Sequence, residues 1–104
     1  MTNDAPKAAS PKFALGRQVA TPGALAAIRA AGQTAHELLA RHAAGDWGDL
    51  DDEDKGLNDA ALTDGSRLFS AYRLRSGVKL WVITEAADEG GQRAATTILL
   101  PDEY

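Results

Sequence analysis

One histidine, His42, stands just ahead of a loop of aspartates, and Arg67, Arg73, Arg75 and Lys79 cluster further along the chain. Ser70, Tyr72, Thr84, Thr96 and Thr97 add hydroxyls nearby. These residue types suit general acid–base attack on a phosphodiester without metal. Such chemistry needs a base for the 2′-hydroxyl, cations for the phosphate charge and an acid for the leaving group. The same residues also have a structural reading. His42 would close a helix as a cation at the negative end of its dipole, and the arginines would pair with an acidic helix.

Other chemistries find less support. His36 and His42 lie roughly 240° apart around a helix, so they cannot share one ion. The run Asp49-Leu50-Asp51-Asp52-Glu53-Asp54 is rich in carboxylates but lacks the spacing, central glycine and terminal glutamate of a calcium loop. No metal or cofactor is expected. There is no cysteine, which removes disulfides, thiolate ligands and cysteine nucleophiles together. No phosphate-cradling glycine loop and no nucleophile elbow is present.

Charge is unevenly spread. The formal net charge is −4, yet residues 46–64 hold eight acids against Lys55 alone. Residues 65–80 carry four bases and no acid. A chain of this balance is not expected to take nucleic acid as its main ligand, because phosphate contacts need clustered positive charge. A protein partner is expected instead, through the patch Asp46, Trp47, Asp49, Asp51, Asp52, Glu53 and Asp54. Trp47 reads either as an anchor of that patch or as a plug seating the turn on the core.

The elements that must position these residues follow from spacing and caps. With 104 residues, 44% hydrophobic and 25% charged, the chain fits one ordinary globular domain. Residues 1–12 read as a disordered leader and 13–104 as the domain. Thr21-Pro22 opens a first helix that Gly32 ends, and Thr34 with Glu37 forms a capping box for a second. Asp51 or Asp52 caps a third helix from Glu53 to about Thr63, with Leu57, Ala60, Ala61 and Leu62 as its apolar side. From Arg67 the apolar period becomes two. Strands are expected over Arg67–Leu74, Val78–Glu85 and Ala95–Leu100. The predicted fold is α+β, with two to three helices packed on a C-terminal three-stranded antiparallel meander. An uncovered third strand would leave a homodimer open. No run approaches the ~20 apolar residues of a membrane span, so a cytoplasmic protein is expected.

The runs TPGALAAIRAAGQTAHELLARHAAGDWGDL, SAYRLRSGVKLWVITEA and TTILLPDEY resemble a family of small proteins carried on bacterial plasmids and integrative elements. The resemblance covers about residues 13–104 and implies a mobile-element setting in the bacterial cytoplasm; it transfers no catalytic residue. A second resemblance, in element order, is to barnase/RelE-type metal-free ribonucleases and toxins. It implies that His42, Arg67, Arg73 and Thr97 carry RNA cleavage. This chain departs from it in its acidic balance and in having no histidine near residue 104. The expectation is an interaction protein of a mobile element, with the ribonuclease as its alternative.

Overall fold

The computed structural model describes residues 10–104. It is an α+β fold whose elements run β1 (Arg17–Ala20), α1 (Pro22–Ala30), α2 (Ala35–Ala43), α3 (Asp52–Asp64), β2 (Leu68–Arg73), β3 (Lys79–Thr84), β4 (Ala95–Leu99) and a 3₁₀ turn (Pro101–Glu103). The expected meander is there, because β2, β3 and β4 pair antiparallel in sequence order. The sheet is nevertheless four-stranded and mixed, in the order β1-β4-β3-β2. The difference is β1, which lies parallel to β4 with Val19 opposite Thr97. A four-residue strand whose partner lies far along the chain carries no local signal. Its presence takes the free edge that the sequence reading left on β4.

Each helix starts where its cap predicts. The hydroxyl of Thr21 accepts from the Ala24 N–H (3.1 Å), and that of Thr34 from the Glu37 N–H (3.1 Å). The Glu37 carboxylate does not reach back to Thr34 as a capping box requires; it accepts from the Gln33 side chain instead (2.8 Å). Asp51 caps α3 by accepting from the Asp54 N–H (2.8 Å), and Gly65 ends it in the left-handed conformation. The inward side of α3 differs from expectation. Asn58 and Ala61 are buried, whereas Leu57 is 64% exposed.

Alternation in the strands sends Leu68, Ser70, Tyr72, Leu80, Val82, Thr84, Thr96 and Ile98 to one face, all buried. Ala24 and Ile28 of α1 and Leu38 and Leu39 of α2 pack on this face against Tyr72, Leu80, Val82 and Ile98. A second, smaller cluster joins Trp47 and Ala61 to Leu68. Burial of these aliphatic side chains, at about 1.5–3 kcal/mol each, is the main source of stability. Of the expected leader, residues 1–9 lie outside the described residues; the Lys12 N–H donates to the Ala43 carbonyl (2.7 Å).

The outer edge of β2 is closed by borrowed groups. The Asn58 side chain accepts from the Phe69 N–H (3.1 Å) and donates to the Phe69 carbonyl (2.6 Å), as a neighbouring strand would. The Ala71 N–H donates to the Trp47 carbonyl (3.2 Å), and the Asp49 N–H donates to the Ala71 carbonyl (2.7 Å). Between these two bonds sits Gly48, at φ +76°, where an added Cβ would lie 2.0 Å from the Ala71 oxygen. Only glycine permits that approach. A β2 edge dressed in this way cannot recruit another strand at Phe69 and Ala71.

Candidate functional site

Helix α2 buries Leu38, Leu39, His42 and Ala43, a stripe at helical spacing that carries His42 under the sheet. There it meets hydroxyls from β2 and β3, and through the second of these a hydroxyl on β4. Nδ1 lies 2.6 Å from Ser70 Oγ on β2, and Nε2 lies 2.9 Å from Thr84 Oγ1 on β3. Thr84 Oγ1 lies 2.7 Å from Thr96 Oγ1, its register partner on β4, and Thr96 donates to the Leu15 carbonyl (2.7 Å).

One proton order satisfies this chain. The Leu15 carbonyl can only accept, so the Thr96 proton is committed to it. Thr84 must then donate to Thr96, and Nε2–H must donate to Thr84. That leaves Nδ1 of the neutral imidazole to accept from the Ser70 hydroxyl. Every buried side-chain polar atom among the described residues has a partner.

His42 has no exposed surface. Burial, with the nearby Arg93 charge as a second cause, lowers its pKa to about 4. The imidazole is therefore neutral at pH 7, not the helix-closing cation of the sequence reading. Its one lone pair is occupied by Ser70, and no substrate atom can reach it. A general base must touch the proton it removes. His42 holds the core together and does no acid–base work in this conformation.

The other residues of the nucleolytic set lie elsewhere. Arg67, Arg73 and Thr97 belong to the opposite face of the sheet, by strand parity with Phe69, Trp81 and Ile83. The sheet itself separates them from His42, so the four do not form one site. Ser70, Thr84 and Thr96 point to the covered face, and Thr97 alone of the strand threonines points away.

The acidic patch divides as well. Asp46, Trp47 and Asp49 are built into the β2 edge. The Asp46 carboxylate bonds the Arg41 side chain (2.7 Å) and the Gly48 N–H (3.1 Å). Burial pushes that carboxyl up, but these two bonds outweigh it and hold its pKa below the ordinary value. The Tyr72 hydroxyl donates to the Asp46 carbonyl (2.5 Å). Trp47 is 4% exposed, stacks near Phe13 and donates Nε1–H to Asp59 (3.0 Å). It is a plug and presents nothing to a partner. Asp49 lies 3.9 Å from Arg73, a weak exposed pair. Asp51, Asp52, Glu53 and Asp54 are exposed, and none is ion-paired; the two ion pairs among the described residues involve Asp46 and Asp49. The acidic helix and the basic hairpin do not neutralise one another.

Sequence reasoning missed Arg93 and Asn58. The Arg93 guanidinium donates to the carbonyls of Ser66 (2.8 Å), Glu85 (3.0 Å) and Ala61 (3.0 Å). It thereby supplies the cation that the last turn of α3 lacks in its own sequence. Nothing in their neighbours marks either residue, because each works on backbone that is remote in sequence. A cavity of about 410 Å³ lies beside Arg93 and is lined by Lys12, Phe13, Asp64 and Asp88 among others. No group of three or more His, Asp and Glu side chains among the described residues is arranged to hold a metal ion. No helix among them is long and apolar enough to cross a membrane. Comparison with protein-family models, with curated proteins and with solved structures finds no match for this chain.

Proposed function

We propose that this chain is a non-catalytic interaction protein of a bacterial mobile element, acting in the cytoplasm, and that it engages a basic surface of a protein partner through α3. The observation that carries the reading is the state of Asp51, Asp52, Glu53 and Asp54. Four adjacent carboxylates face solvent with no ion-pair partner among the described residues, on an element otherwise fixed by Asn58, Ala61 and the Arg93 clasp. Unneutralised charge on a rigid element steers encounter and selects partners of opposite sign. The setting rests on the family resemblance of residues 13–104. The ribonuclease alternative draws less support, because His42 is buried and lies across the sheet from Arg67, Arg73 and Thr97.

The test is retention of a bacterial protein by the immobilised chain, compared with Glu53→Lys/Asp54→Lys. Asp51 is left alone because it caps the helix. Reversal should weaken binding by roughly tenfold or more, and added salt should weaken the wild-type complex. Equal retention by both chains would remove α3 as the contact.

A further inference from the structure

Among the described residues, the face of the sheet opposite His42 lacks the helical layer that covers its other side. The buried residues of all three helices gather with Leu68, Tyr72, Leu80, Val82 and Ile98. The open face instead presents Val19 (41% exposed) and the half-buried Phe69 and Trp81, with Ile83 and Leu99 buried beneath and the exposed Tyr104 laid against Trp81. Phe69, Trp81 and Tyr104 meet edge to face, with centroids 5.1 and 5.6 Å apart. Two depressions, of about 220 and 330 Å³, open between Arg67, Trp81, Ile83, Leu99 and Tyr104. Arg17, Arg67, Arg73 and Lys79 surround this apolar floor. The acids near it are Glu85, Asp49 beside Arg73, and Glu103, whose carboxylate is occupied by the Thr21 hydroxyl and the Leu100 N–H.

An open sheet face in an antiparallel sheet is ordinarily polar. An apolar floor ringed by cations calls for an occupant that is apolar along one stripe and acidic beside it. Two such faces cannot meet each other, since their cations would be juxtaposed. The outward flank of α3 has the matching chemistry. Glu53, Gly56, Leu57 and Ala60 share one side at helical spacing and are all exposed, with Asp52, Asp54 and Asp59 exposed nearby. Leu57 is there because Asn58 and Ala61 took the inward positions. Its leucine suits a depression floored by Phe69, Trp81 and Ile83, and its carboxylates suit Arg67, Arg73 and Lys79. The edge-to-face aromatics use ring surface that stacked nucleobases would need, which favours a helix over a nucleic acid.

We infer that this face receives α3 of a second copy of the chain, in a head-to-tail contact. The inference rests on the reading of α3 as the interaction element and names one partner for it. Such a contact is heterologous, so it continues into longer chains or closes into a ring.

The experiment is the mass of the full chain in solution, by light scattering and sedimentation across concentration and salt. At low salt the wild type should rise above the 10.9 kDa monomer with concentration and return to it at high salt. Glu53→Lys/Leu57→Ser, which disables the helix, and Lys79→Glu/Arg67→Glu, which disables the face, should each remain monomeric with unchanged circular dichroism. Lys79→Glu alone, at an exposed position, should weaken association severalfold and serves if the double variant unfolds. An equimolar mixture of helix and face variants should form a complex of two chains and no larger, because one intact contact remains. A wild type that stays monomeric at low salt overturns the inference, as does association that both variants retain. Quenching of Trp81 fluorescence by oligothymidylate, lost in the face variant, would assign the face to nucleic acid and overturn it too. A monomeric wild type that still retains a foreign partner through Glu53 and Asp54 removes this inference and leaves the proposed function standing.

Discussion

At pH 7 His42 holds one proton, on Nε2, and the order of donors from Ser70 to the Leu15 carbonyl depends on it. Its folded pKa of about 4 lies below the ~6.5 of an unfolded histidine. Between these values the unfolded chain binds more protons than the native one, so stability rises with pH. The contribution is complete above about pH 6.5 and disappears as pH falls through about 4, a difference on the order of 3 kcal/mol. Thermal melts from pH 7 to 4 should show this loss, and the gap between wild type and His42→Gln should narrow as pH falls. The glutamine variant should start about 1–3 kcal/mol less stable at pH 7, because one hydroxyl loses its partner. Parallel slopes for the two chains would remove His42 as the source. The identity of this residue was legible in the sequence, and so were the hydroxyls. Which face each occupied was not, because a strand's parity tells which residues share a side and leaves open which side the helices cover.

Elements came through the sequence in proportion to how local their causes are. Caps at Thr21, Thr34 and Asp51 depend on atoms within one turn, and all three form. The switch to a two-residue period at residues 67–74 placed β2 within one residue at each end. The inward side of α3 went wrong because its strongest inward contact is polar. Asn58 supplies a donor and an acceptor to Phe69, which outweighs what Leu57 would gain by burial there. Asn58→Ala should therefore cost about 1–3 kcal/mol in urea unfolding, despite removing a polar side chain from a largely apolar setting. Asn58→Asp should also destabilise, since it keeps the acceptor and loses the donor. Wild-type stability in both variants would mean that the Phe69 groups are served in some other way.

At the scale of the molecule, the net charge of −4 conceals a division into an acidic helix, a cation-ringed sheet face and an uncharged buried seam of hydroxyls. Counting charge along the chain located the first two; only the sheet showed that they point in different directions. The strand β1 also has a consequence for biosynthesis. Residues 17–20 emerge from the ribosome long before residues 95–99, their only strand neighbour among the described residues. The parallel ladder, and the Leu15 carbonyl that terminates the hydroxyl series, must wait for the latest strand to be translated. Nascent chains arrested before β4 clears the exit tunnel should remain open to protease near residues 15–20, and protection there should arrive in one step with β4.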